Sequence, residues 1–116
     1  MVVENNAAMR ALIRSLVEPI GPVVHECDTG ESAVEAYARL RPACVLMDIQ
    51  MGAMDGIAAT RAIRRSDPHA RVIIITDHGD ERYRRAAHAA GACGFVLKEN
   101  LWELPALLAG SPKPEA

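Results

Sequence analysis

Short apolar runs alternate five times with segments of helical period, and that alternation leaves the chain few ways to fold. The runs are Met1–Val3, Val23–Cys27, Ala43–Met47, Val72–Ile75 and Phe95–Leu97. Ala43–Met47 and Val72–Ile75 are apolar without a break, as strands covered on both faces should be. Between the first two runs, Met9, Leu12, Ile13, Leu16 and Val17 recur as one stripe of a helix. A second helix over Glu31–Leu40 has to stop ahead of Pro42, because the residue before proline resists the helical region. A third opens after Asp55-Gly56 and ends near Ser66-Asp67-Pro68. The fourth starts from Asp80 as N-cap and closes on Gly91 as C-cap. The fifth begins after Asn100 but carries Pro105, so it is short or starts at that proline.

Repeated strand–helix alternation predicts an α/β fold, a doubly wound parallel sheet of five strands with helices on both faces. The chain has 116 residues, enough for one domain and one core of ordinary size. We place the domain at 1–109 and expect a disordered tail over 110–116, Gly-Ser-Pro-Lys-Pro-Glu-Ala. The brief tail favours a stand-alone protein. Only one Phe, one Trp and two Tyr are present, so the core must be aliphatic and rich in alanine. Thirteen basic residues against fifteen acidic ones give a net charge of −2. That balance points to neither direct DNA binding nor a membrane surface. No apolar run approaches the roughly 20 residues of a membrane helix, and no signal-peptide pattern opens the chain. Cys27, Cys44 and Cys93 form no CxxC pair and sit beside aliphatic residues. They read as buried free thiols in a reducing, cytoplasmic setting. The four histidines show no metal-ligand spacing.

In a doubly wound sheet, ligands bind beyond the carboxyl ends of the strands, where the strand order reverses. The first strand ends in Glu4-Asn5-Asn6, the third in Asp48, the fourth in Thr76-Asp77 and the fifth in Lys98. A central carboxylate is thus flanked by acidic and amide oxygens on one side and by a hydroxyl and an ammonium on the other. Such a set can hold a divalent cation together with a phosphoryl group.

Four segments in order then resemble the response regulator receiver domain of bacterial two-component systems. Val45-Leu-Met-Asp48-Ile-Gln-Met-Gly-Ala-Met-Asp55-Gly56 resembles the family's phosphoacceptor segment. Val72-Ile-Ile-Ile-Thr76 resembles its fourth strand, and Ala90-Gly-Ala-Cys-Gly-Phe-Val-Leu-Lys98 its fifth strand and following lysine. Val2-Val-Glu4-Asn5-Asn6 resembles the acidic end of its first strand. The resemblance implies a flavodoxin-like (βα)5 fold with strand order 2-1-3-4-5. It implies that Asp48 accepts a phosphoryl group from a sensor histidine kinase, a phosphotransfer protein or a small donor such as acetyl phosphate. Magnesium would be held by Asp48, Glu4, Asn5 and the backbone carbonyl of Gln50, while Thr76 and Lys98 contact phosphoryl oxygens. Phe95 would act with Thr76 as the switch, altering a surface of the fourth helix, fifth strand and fifth helix. A downstream protein partner, or a weak homodimer, would read that surface. Such a domain promotes only its own phosphorylation and dephosphorylation and is not otherwise an enzyme.

The chain departs from the family pattern at several points. Asn5 stands where the usual metal ligand is acidic, so magnesium should bind weakly. Asp77 stands where a small residue is usual: it could repel the phosphoryl group, lend its charge to the cation, or point outward and cap the turn before Asp80. Gly52 stands where proline is common and should loosen the loop after Asp48. Only three residues precede Glu4, which leaves the first strand short. On the fourth helix, Asp80 and Glu81 lie four residues ahead of Arg84 and Arg85, at ion-pair spacing. An aspartate-nucleophile phosphatase would want a second Asp where Gln50 stands, and a flavin carrier would want a phosphate loop after the first strand. The nearer alternative is a pseudo-receiver, the same fold used for protein interaction without phosphorylation.

Overall fold

The strand-forming runs pair as a single parallel sheet, and a short polar turn after most strands launches the next helix. A computed structural model describes residues 1–23 and 25–109. The strands are β1 (Val2–Val3), β2 (Glu26–Cys27), β3 (Val45–Asp48), β4 (Val72–Thr76) and β5 (Gly94–Leu97). The helices are α1 (Ala7–Val17), α2 (Gly30–Leu40), α3 (Gly56–Ser66), α4 (Glu81–Ala90) and α5 (Leu104–Ala109). A 3-10 segment, Lys98–Glu103, precedes α5, and Pro105 falls in the first turn of α5, where its missing N–H costs least. Strand order is β2-β1-β3-β4-β5, all parallel, as the resemblance implied. Residues 110–116, for which a disordered tail was expected, lie outside the described residues, as does Val24 of the second apolar run.

Neighbouring strand residues alternate between two cores. Val3, Met47, Val45 and Ile74 face α2, α3 and α4 in one buried cluster. Val2, Leu46, Ile73, Ile75 and Val96 face α1 and the segment around Leu101 and Leu104 in the other. Burial on both faces explains the unbroken apolar runs of β3 and β4. The stripe on α1 buries Ile13 and Val17, while Met9 and Leu16 pack at its edge. Leu12, expected in that stripe, is 46% exposed, because it lies at the margin of a narrow contact with the sheet.

The cap expected at α4 forms, and α3 is capped as well, by Asp55. Asp55 Oδ1 accepts Ala58 N–H, and Asp80 Oδ1 accepts Arg82 N–H at 2.8 Å. Gly91 ends α4 with a left-handed φ of 103°. The cysteines correct an expectation, since Cys27 is buried, Cys44 partly buried and Cys93 exposed. Cys93 lies just before β5, where its N–H joins Val72 O while its side chain is exposed. No helix among the described residues is long and apolar enough to cross a membrane.

Candidate functional site

At the carboxyl end of the sheet, β1, β3, β4 and β5 deliver Glu4, Asp48, Thr76 and Lys98 to one cleft of about 170 Å3. Asn5, Gln50 and Asp77 line the same cleft, so the expected polar residues come together there. Phe95 does not line it: that residue lies half-buried on β5 against the core shared with α4. A larger concavity of about 360 Å3 lies at the opposite, amino end of the central strands, among Val17, Ile20 and Leu46. Among the described residues that line it, Arg71 has the only charged side chain, and it holds none of this chemistry.

Three of the central groups are buried, with Glu4 1%, Asp48 5% and Thr76 1% exposed. Lys98 Nζ lies 3.0 Å from Glu4 Oε1 and 3.5 Å from Asp48 Oδ1. Burial and the nearby charge of Glu4 push the Asp48 carboxyl up to about 6, despite the opposing pull of Lys98. For Lys98, burial disfavours the charged form, but contacts with Glu4 and Asp48 outweigh it and raise the ammonium above its ordinary value. Asp77 adds to that field. Two buried acids share one ammonium, so the cleft carries uncompensated negative charge.

Backbone and turn geometry fix these groups. Glu4 Oε2 accepts Asn6 N–H at 3.1 Å, and Arg10 donates to Glu4 O at 2.7 Å. Asn6 is the N-cap of α1, accepting Met9 N–H, a role the sequence reading did not assign. Thr76 Oγ1 accepts His78 N–H at 3.1 Å, so the turn after β4 is closed by Thr76 and not by Asp77. Asp77 and His78 are both exposed at the rim of the cleft. His78 was missed because a histidine two residues past a strand carries no pattern of its own.

Side chains on both sides of Gly52 anchor the loop after Asp48 to the core. Met51 is buried at 3%, and Met54 packs against the same core. Gly52 itself has φ 85°, a value proline cannot adopt. Gly56 is a close approach, since a Cβ there would stand 1.8 Å from Asp48 O. Its N–H joins Ile49 O at 2.7 Å, which seats the start of α3 directly behind the end of β3.

The donor set suits a hard cation: two carboxylates, an amide and the main chain of an exposed Gln50, with no sulfur or imidazole required. Glu4 Oε1 is buried without a well-formed hydrogen bond, even with Lys98 nearby, so an oxygen-seeking ion would find an available ligand. Among the described residues, no three His, Cys, Asp or Glu side chains converge as a metal-binding group. Asn5 is neutral, and Asp77 does not complete a three-acid set with Glu4 and Asp48.

Comparison with known proteins agrees with this arrangement. The family profile described as "Response regulator receiver domain" matches residues 1–108. The chemotaxis protein CheY of Halobacterium salinarum is 37% identical over 98 residues, 84% of this chain and 82% of that protein. CheY of Thermotoga maritima is 35% identical over 99 residues, with the same coverage. The response regulator domain of Thermotoga maritima CheB superposes with a TM-score of 0.87 at 26% identity, covering 97% of this chain and 96% of that one. A LuxR-family two-component response regulator from Aurantimonas gives 0.86 at 35% identity, covering 95% and 84%.

Proposed function

Because this chain belongs to the response regulator receiver family, we propose that it works by accepting a phosphoryl group on Asp48. The observation that carries the reading is the meeting of Asp48, Lys98 and Thr76 in one cleft, from three different strand ends. An Asp48 carboxylate oxygen would attack phosphorus as the P–N bond of a phosphohistidine breaks, and the departing imidazole takes a proton. With acetyl phosphate the bond that breaks is P–O, and acetate leaves. Lys98 would turn its ammonium from the two acids toward a phosphoryl oxygen, offsetting developing charge. Thr76 accepts a hydrogen bond from His78, which leaves its own proton to donate to another phosphoryl oxygen. Glu4, Asn5, Asp48 and the Gln50 carbonyl would hold magnesium, weakly for want of a third acid. When bound, the ion supplies positive charge that lets a carboxylate meet a phosphate.

Phosphorylation would draw on Thr76 and be relayed through Phe95 to the surface of α4, β5 and α5. A histidine kinase or phosphotransfer protein would stand upstream, and a protein partner or a weak homodimer downstream, in the cytoplasm. No duplex-binding role is expected of this domain. Incubation with acetyl phosphate and magnesium, followed by intact mass, tests the reading. One added phosphoryl mass that disappears in Asp48→Asn supports it. No added mass would leave the pseudo-receiver reading in its place.

A further inference from the structure

Arg84 lies on α4 with its guanidinium carbon 4.6 Å from the centroid of the Phe95 ring on β5. The other two arginines near the start of α4 are engaged with acids, Arg82 with Asp80 at 3.1 Å and Arg85 with Glu81 at 3.5 Å. Sequence spacing paired Asp80 with Arg84 instead. Asp80 is drawn away because its carboxylate also caps the helix, accepting Arg82 and Tyr83 N–H. Arg84 therefore has no acidic partner among the described residues, and its positive charge rests on an aromatic face. The adjacent Tyr83 is half-buried, with its ring centroid 5.4 Å from that of His78. The N–H of His78 is held by Thr76 Oγ1. The first turn of α4 is thus tied at two neighbouring residues, through Tyr83 to the cleft and through Arg84 to Phe95.

We infer that Arg84 is a latch that holds Phe95 in its resting, half-exposed position and so sets the resting bias of the switch. Its effect on phosphorylation rests on the phosphoacceptor reading; its effect on the ring does not. A cation held over a phenyl face favours the ring position that presents that face to α4. A ring turned further into the core would leave the guanidinium without its partner. Removing the cation shifts the ring equilibrium inward, and linkage requires an equal gain in whatever state prefers the inward ring. For a cation–π contact at a partly exposed site the shift is about two- to fivefold.

The test uses the full chain with Arg84→Leu, and with Arg84→Lys to restore a cation. Arg84 is exposed, so neither change opens the core. The first readout is the Phe95 χ1 population by NMR in metal-free, unphosphorylated protein. The latch requires the inward-to-outward ratio to rise about two- to fivefold in Arg84→Leu and to return most of the way in Arg84→Lys. The second readout is the phosphorylated fraction at sub-saturating acetyl phosphate with magnesium, which should rise by a similar factor. Unchanged Phe95 rotamers in Arg84→Leu overturn the latch, whatever phosphorylation does. Shifted rotamers with no phosphorylation of either protein uphold the latch and remove the phosphoacceptor reading.

Discussion

Lys98 Nζ stands closer to Glu4 Oε1, at 3.0 Å, than to Asp48 Oδ1, at 3.5 Å. At rest the lysine belongs as much to Glu4 as to Asp48, the expected phosphoacceptor. Its side chain is 12% exposed and that of Glu4 1%, so the pair is largely removed from water. Truncating one partner of such a pair leaves the other charge buried and uncompensated. Lys98→Met should therefore lower stability at neutral pH by about 3 kcal/mol in urea unfolding of metal-free protein. Glu4→Gln in the same background should restore much of it. A Lys98→Met protein of wild-type stability would show the pair to be energetically idle.

Asn5 bears on the cation. Glu4 and Asp48 are the buried carboxylates of the cleft, and among the described residues no third acid converges with them as a metal-binding group, Asp77 lying exposed at the rim. Converting the amide to a carboxylate adds one hard, charged ligand at the turn after β1. Asn5→Asp should tighten magnesium binding by roughly tenfold, which at 1.4 kcal/mol per decade is a modest electrostatic gain. Calorimetry or an NMR shift titration measures it. Equal affinities would mean that residue 5 faces away from the ion.

The loop after Asp48 is held by glycines of two kinds. Gly52 has φ 85° and open space around its missing Cβ, so its substitution costs backbone energy only. Gly52→Ala should cost about 1 kcal/mol and Gly52→Pro about 3 kcal/mol, since proline is confined near −65°. Gly56→Ala should be worse than Gly52→Ala despite the smaller conformational demand, because its methyl meets the main chain of Asp48 itself. Thermal unfolding ranks the three. A stabilised Gly52→Pro protein would show that the loop reaches the proline-compatible path.

Much of the fold was legible because every strand and helix carries its own local signal. Asp55 and Asp80 announce α3 and α4, Gly91 ends α4, and buried β3 and β4 read as unbroken apolar runs. The four central residues of the cleft, Glu4, Asp48, Thr76 and Lys98, were legible for the same reason, as each stands at the carboxyl end of a strand. What stayed hidden depends on contacts between elements. Asn6 lines the cleft, and only the structure shows its side-chain Oδ1 accepting Met9 N–H as the cap of α1. Asp80 has two arginines in reach, and only the cap geometry decides for Arg82 over Arg84. The burial of Met51 could not be read from a loop flanked by glycine. Likewise Cys93 looked buried beside aliphatic residues because its neighbours in sequence do not show that its own side chain is left exposed just before β5.

Tyr37 gives a pH-dependent test away from the cleft. Its hydroxyl donates to Asp67 Oδ2 at 2.7 Å, linking α2 to the end of α3, and the residue is 3% exposed. Burial, then the Asp67 carboxylate, pushes the phenol from 10.0 up to about 12. The bond to Tyr37 holds Asp67 below the ordinary carboxylate value. A phenol whose folded value is raised contributes stability that is complete below pH 10 and lost as pH climbs through 12. A carboxylate whose folded value is lowered contributes above its ordinary 3.8 and fades as pH falls further. The stability difference between wild type and Tyr37→Phe should therefore be a plateau of about 1.5 kcal/mol from mildly acidic to mildly alkaline pH, declining on both sides. Urea unfolding across pH measures it. A difference that grows above pH 10 would contradict the assigned bond.

Asp77 adds a further carboxylate at the cleft. Its carboxylate is exposed at the rim, makes no hydrogen bond among the described residues, and raises the ammonium of Lys98 through its charge. It does not close the turn, which Thr76 does, nor does it complete a metal-binding group. What remains is its field. A phosphoryl group arriving at Asp48 and Lys98 would meet a third negative charge, but one that water and salt screen. Asp77→Ala should raise the phosphorylated fraction at fixed acetyl phosphate and magnesium by about two- to fivefold at low ionic strength. The gain should fade near 1 M salt, where the screening length falls to about 3 Å. Magnesium affinity should stay within about twofold of wild type, as the carboxylate is not a ligand. A large loss of magnesium binding in this variant would instead make Asp77 the acid that replaces the one missing at Asn5.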